Sequence, residues 1–254
     1  MKQPDPTTPG ESTAGVAPPT DKVPWRESAL RSGPAHLLLW SLAAVGLWAD
    51  LASKSWAFGS LPAGGRQTVV PGFLTAERSL NSGALFGAFS GWVPAFIIAS
   101  LLALAFVLYV FGTSDRRQRF LHVGLALILA GAMGNLYDRA FVKADVLTLK
   151  ANANGGGQVI GIVVSEAGAD PVVVASYPDG KEPRSFPRER IAAIDQHGVV
   201  RDFIKFTPIA GFDYWPWVFN VADALLVVGV AILLITFWRE RRPAPANTRP
   251  AAPA

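Results

Sequence analysis

Phe219-Asn-Val-Ala-Asp-Ala-Leu-Leu-Val-Val-Gly-Val-Ala-Ile-Leu-Leu-Ile-Thr-Phe-Trp238 carries one charge, Asp223, and is followed at once by Arg-Glu-Arg-Arg (Arg239 to Arg242). About 20 apolar residues are what a helix needs to cross ~30 Å of hydrocarbon. A carboxylate inside such a helix costs ~2.5–3.5 kcal/mol on insertion scales, so it normally faces a bundle interior and marks function. Asn220 lies three residues before Asp223 and projects from the same helix face.

Working outward, three further apolar stretches are found. The spans are expected at about 35–58, 92–113, 120–137 and 215–238. Half of the 254 residues are hydrophobic and only 17% are charged, against about a quarter in soluble domains. The charges fall between the spans. Arg116-Arg-Gln-Arg119 separates the second from the third, Arg239 to Arg242 follows the fourth, and Arg26 and Arg31 precede the first. All three sets lie on one side of a four-span topology, so the positive-inside rule places both termini in the cytoplasm. The fold class expected is a membrane all-α four-helix bundle with β-rich extracytoplasmic loops.

Residues 1–34 and 239–254 are rich in Pro, Ala, Thr and Gly and are expected to be disordered cytoplasmic tails. The membrane domain is then 35–238. Within it, 140–200 holds GQVIGIVVS and PVVVASY, β-branched runs that predict a β-rich insertion outside the membrane.

Cysteine is absent, which excludes disulfides, thiolate metal sites and a Cys nucleophile. His36, His122 and His197 are far apart and have no metal-ligand spacing, so no metal and no cofactor are expected. Without a basic stripe interleaved with exposed aromatics, nucleic-acid binding is not expected either.

Further polar residues sit at the outer ends of the spans. Asp50 and Lys54, in DLASK, are spaced i,i+4 and read as a structural ion pair. Asn135 and Asp138, in GNLYDR, share a helix face, with Arg139 beside them. Ala130 and Gly134 have the small-xxx-small spacing of close helix packing. Asn81, in NSGALF, precedes the second span, and Asp202 lies in RDF just before the fourth. An apolar bundle with a polar cluster at one interface reads as a site. A proton-coupled transporter using Asp50, Asp138 and Asp223 as a relay is one reading of that cluster. A membrane-anchored interaction protein that binds through the insertion is another.

Taken in order, DLASK, NSGALF, GNLYDR, RDF and FNVAD resemble the motifs of signal peptidase II, the lipoprotein signal peptidase family of aspartic peptidases. The resemblance runs from about Leu37 to Trp238, apart from the insertion. It implies that Asp202 and Asp223 are a catalytic pair, supported by Asn81, Asn135, Asp138, Arg139 and Asn220 around the substrate. It implies a bacterial inner-membrane endopeptidase with its site near the outer face. The substrate would be a prolipoprotein cut just before its diacylglyceryl cysteine, with membrane lipid beside it. A globomycin-type inhibitor would block the pair, and a monomer is expected. The insertion separates Arg139 from Asp202, whereas Asp145 in KADVL stands nearly at the family's usual distance from Arg139. Asp202 is preferred because Phe203 and Ile204 follow it, where Asp145 has Val146 and Leu147.

Overall fold

A computed structural model describes residues 23–24, 26–61, 66–82, 93–152, 155–166, 172–177, 184–207, 213 and 215–240. The expectations for 1–22 and 241–254, and for Gly83 to Phe86 of NSGALF, lie outside the described residues. Among the described residues the apolar stretches fall in the helices α1 (Gly33–Ser60), α2 (Val93–Thr113), α3 (Arg119–Phe141) and α4 (Val221–Glu240). Of these α1, α3 and α4 are long and apolar enough to cross a membrane, and α2 contains a shorter apolar helical stretch, Ile97–Thr113.

Local sequence sets the helix ends. Ser32 caps α1, accepting from the backbone N–H of Ala35 at 3.3 Å, and a proline occupies the first turn. The stretch expected as a tail stops short of residue 34. Ala29–Arg31 form a 3₁₀ turn, Ala29 is fully buried, and its N–H donates to the carbonyl of Ser114 at 3.0 Å. α4 begins at Val221 rather than at residue 215. Pro216 cannot donate a helical hydrogen bond, and Asn220 supplies the cap.

α3 is the axis of the bundle and packs against α1, α2 and α4. Leu125 and Leu129 of α3 are buried with Leu39 of α1, Val107 and Phe111 of α2 and Leu233 of α4. Small residues let the backbones approach. A Cβ on Gly124 would stand 2.7 Å from a methyl of Ile232, one on Gly46 2.8 Å from Cβ of Ala130, and one on Gly229 2.8 Å from the carbonyl of Gly124. Outward faces stay apolar, as at Leu37, Trp48, Val227 and Leu234, and suit a hydrocarbon surrounding.

Among the described residues the strands form two antiparallel sheets. The first, in order β1-β2-β8-β9, joins β1 (Arg66–Val70), β2 (Leu74–Asn81), β8 (Val200–Phe206) and β9 (Val218–Phe219). Its β2–β8 register sets Ser79 opposite Asp202 and Asn81 opposite Val200. The second sheet, in order β6-β5-β4-β3-β7, uses β3 (Lys143–Asn152), β4 (Gly155–Glu166), β5 (Val172–Tyr177), β6 (Arg184–Phe186) and β7 (Ile191–Gly198). It has its own small core of Leu147 and Ile191. Its first and last residues pair, Lys143 opposite Gly198, and the N–H of Val199 donates to the carbonyl of Val142 at 3.0 Å. The chain therefore leaves the end of α3 and returns to the same place before β8 begins.

Candidate active site

The first turn of α4 organises the polar cluster. Asn220 and Asp223 form a reciprocal cap: the N–H of Asp223 donates to Oδ1 of Asn220 at 3.0 Å, and the N–H of Asn220 donates to Oδ2 of Asp223 at 3.1 Å. A cap residue followed three positions later by an acceptor is the capping-box arrangement, here with Asn and Asp. The N–H of Ala222 is satisfied from another helix, donating to Oδ1 of Asp50 at 2.8 Å. Carboxylates at a helix N-terminus are favoured there by its unpaired N–H groups.

Asp202 reaches the same point from β8. Its carboxylate accepts from the side-chain amides of Asn220 at 2.6 Å and Asn81 at 3.2 Å. Asp223 accepts from the amide of Asn135 at 2.8 Å. The side-chain oxygen of Asn135 in turn accepts from Lys54 and from Asn220, both at 3.2 Å. The two aspartates thus sit on one hydrogen-bonded network, with Asn220 touching both. Asp202 is 3% exposed, whereas Asp223 is only half-buried. Burial, and then the charge of Asp223, push the Asp202 carboxyl up to about 8, against the pull of the Asn220 and Asn81 amides. Arg139, partly buried at the end of α3, lies within electrostatic reach of Asp202, Asp223 and Asp138.

Beneath the pair lies a buried ionic cluster. Lys54 Nζ stands 2.8 Å from Asp50 and 3.3 Å from Asp138, and all three side chains are fully buried. Arg201 closes it: Nε and Nη2 donate to Oδ1 of Asp138 at 3.1 and 2.7 Å, and its backbone N–H donates to Oδ2 at 3.0 Å. Two carboxylates and two cations balance, which a low-dielectric interior demands. Asp50 and Lys54 do form the ion pair expected of them. They are also more than that: they tie α1 to α3 and to the start of α4. Gly134 makes room, since a Cβ there would collide with the Asp50 carboxylate. Its role is space for a side chain as well as helix packing.

Every residue expected at the site is brought together: Asp50, Lys54, Asn81, Asn135, Asp138, Arg139, Asp202, Asn220 and Asp223. Asp145 is elsewhere. It sits on β3, with Oδ2 accepting from the N–H of Val163 on β4 at 2.8 Å. Sequence reasoning missed Arg201, whose partner Asp138 is 63 residues away. Its only signal was its place immediately before Asp202. Among the described residues no group of three or more His or acidic side chains is arranged to hold a metal. Two carboxylates of unequal burial around shared amides can together activate a water and protonate a carbonyl.

Residues 42–239 match the family model described as Signal peptidase (SPase) II. A lipoprotein signal peptidase of Desulfitobacterium hafniense (strain DSM 10664 / DCB-2) is 27% identical over 207 residues, covering 81% of this chain and 96% of that protein. One of Clostridium novyi (strain NT) is 35% identical over 98 residues, covering 39% of this chain and 66% of that protein. A solved structure described as a bacterial membrane enzyme superposes with a TM-score of 0.53 at 21% identity, covering 87% of this chain and 95% of that one, and so shares the fold.

Proposed function

The chain belongs to the signal peptidase II family, and from that membership we propose that Asp202 and Asp223 are the catalytic pair of a lipoprotein signal peptidase. The enzyme is an aspartic peptidase that removes signal peptides from lipoproteins. The observation that carries the assignment of the pair is the amide of Asn220, which holds Asp202 at 2.6 Å while its backbone N–H holds Asp223 at 3.1 Å.

The chemistry follows from that pair sharing one proton. Asp202 is its resting place at neutral pH, because burial and the neighbouring charge favour the neutral acid. A water between the two loses a proton to the ionised carboxylate and attacks the scissile carbonyl. The protonated carboxyl donates to the carbonyl oxygen, giving a tetrahedral diol. Collapse of the diol breaks the C–N bond, and a proton passes to the leaving amine. Arg139 balances the single negative charge of the pair. Asn81, Asn135 and Asn220 hold the carboxylates, and Asp138 with Arg201 anchors β8, which carries Asp202. These roles rest on the contacts described above.

The wider reading has the same basis. α1 to α4 are four membrane spans of one domain, 35–238, with tails before and after it. The arginines beside α1, α3 and α4 favour cytoplasmic termini and a site near the outer face of a bacterial inner membrane. The β3–β7 sheet is an insertion of that domain on the outer side. The substrate is a prolipoprotein whose cysteine carries diacylglycerol, and the exposed apolar helix faces suit its acyl chains and signal helix. A globomycin-type inhibitor occupies the pair, and the monomer is the working unit.

The test is release of the signal peptide from a diacylglyceryl-modified prolipoprotein by the purified full-length protein in detergent, followed by gel shift. Cleavage by wild type and none by Asp202→Asn or Asp223→Asn supports the assignment. Cleavage by well-folded Asp202→Asn removes Asp202 from the pair.

A further inference from the structure

At the opposite end of the bundle from the aspartates lies a cavity of ≈ 950 Å³. Its walls are Arg31 and Ser32, the start of α1 as far as Ser41, the α2–α3 connection and the first turn of α3. Arg31, Arg116, Arg117 and Arg119 line it, and no acidic side chain does so among the described residues. The two walls are fastened together. Ala29 and Ser114 are joined by a backbone hydrogen bond of 3.0 Å, the N–H of Arg116 donates to the carbonyl of Glu27 at 2.8 Å, and Ser28 bridges to Asp115. The remaining lining is mixed: Ser32 and Ser41 stand beside Pro34, Ala35, Leu37 and Leu38, and Leu37 is exposed on the outer face of α1.

A second observation points to a ligand. His122 also lines the cavity, is fully buried, and its Nδ1 has no partner. Its Nε2 lies 2.9 Å from Oγ of Ser114, which itself donates to the carbonyl of Phe111 at 2.8 Å. Ser114 has one hydroxyl proton, so it accepts from Nε2–H, and Nδ1 is left as a bare acceptor. A buried acceptor without a donor is costly and invites one. Four guanidiniums suit a phosphate, a bare nitrogen suits a hydroxyl, and the Leu37–Leu38 wall suits an acyl chain.

We propose that this cavity binds the headgroup of an anionic glycerophospholipid, its phosphate on the arginines and a headgroup hydroxyl donating to Nδ1 of His122. The positive-inside rule accounts for basic residues beside the membrane, but not for a walled cavity with a buried imidazole in it. The inference is independent of the peptidase assignment and needs only that α1 and α3 span the membrane.

Native mass spectrometry of the full-length protein in detergent, titrated with phosphatidylglycerol, tests it. Phosphatidylglycerol should bind at least about tenfold more tightly than phosphatidylcholine. The Arg117→Gln/Arg119→Gln variant should lose at least about tenfold of that affinity, while Arg239→Gln, on the same flank but outside the cavity, stays within about twofold. Phosphatidylmethanol, which lacks the headgroup hydroxyls, should bind more weakly than phosphatidylglycerol. Equal binding of phosphatidylcholine, or equal loss in Arg239→Gln, means diffuse attraction and overturns the site. Equal binding of glycerol 3-phosphate overturns the lipid in favour of a soluble anion. Equal binding of phosphatidylmethanol overturns the His122 contact.

Discussion

The side-chain amide of Asn220 donates to Asp202 at 2.6 Å, joining strand β8 to the cap of helix α4. The same side chain caps α4 through the N–H of Asp223. Asn220→Ala should therefore lose about 1 kcal/mol of stability from the cap and about 100-fold in turnover from the misplaced carboxylates. Asn220→Asp keeps a capping oxygen but brings a third carboxylate to the pair. Because Asn220 is fully buried, this variant should melt below wild type as well as be nearly inactive. Full activity in Asn220→Asp would mean that the amide does not position the pair.

Asp202→Asn and Asp223→Asn should each lower signal-peptide release by at least about 10³-fold, and the double variant should be no worse than either single one, because the pair works as a unit. Asp145→Asn should keep its activity, since Asp145 serves a backbone N–H of the second sheet. Single-turnover cleavage with each variant checks all four. Loss of activity in a normally folded Asp145→Asn would return that residue to the site.

The pH dependence has a defined sign. Asp202 is raised from 3.8 to about 8, so catalysis that needs a proton on the pair should fall as pH rises through about 8. The same shift stabilises the fold fully below 3.8, and that contribution is lost as pH rises through about 8. Asp202→Asn has no such proton to lose. Wild type should lose melting temperature relative to Asp202→Asn between those two pH values. Parallel melting curves for the two proteins across that window would refute this account.

Lys54 is a fully buried cation between Asp50 and Asp138. Lys54→Met should cost roughly 3–5 kcal/mol, because it leaves buried carboxylates short of a counter-charge. Adding Asp50→Asn should recover part of that loss by lowering the excess charge. Thermal unfolding in detergent measures both. A Lys54→Met variant as stable as wild type would show that Arg201 alone suffices for the two acids.

Lys143 and Gly198 face each other at the base of the second sheet. Joining Ala144 to His197 through a two-residue type I′ turn such as Asn-Gly should therefore leave β8 in register. Such a shortened protein should cleave a model prolipoprotein within a few-fold of wild type. If cleavage fails while the melting curve is retained, the sheet takes part in handling substrate.

Much of the site could be read from residue order alone. Asp223 stood out because a lone carboxylate in an apolar helix is too costly to keep without a polar surrounding that uses it. Asn220 followed from helical spacing. Charge-free runs mark the helices, and the β-branched runs GQVIGIVVS and PVVVASY fall in β4 and β5, whereas β3, β6 and β7 carry no such run. What stayed hidden depends on contacts far apart in the chain. Arg201 acts on Asp138, 63 residues earlier, and no local pattern announces that. The i,i+4 spacing gave the Asp50–Lys54 pair, but not its reach to Asn135 and Asp138 on α3 and to the N–H of Ala222 on α4. Gly134 showed only its smallness, not the carboxylate that fills the space. The late start of α4 was missed because Trp215 and Trp217 are as apolar as the helix that follows them.

The reciprocal cap between Asn220 and Asp223 makes the first turn of α4 a gauge of the chemistry. A substrate that draws the Asp223 carboxylate into the chemistry takes an acceptor away from the N–H of Asn220. Turnover and helix fraying are then two readings of one equilibrium. Amide exchange at residue 220 becomes a clock hand on the catalytic cycle, visible without any substrate label.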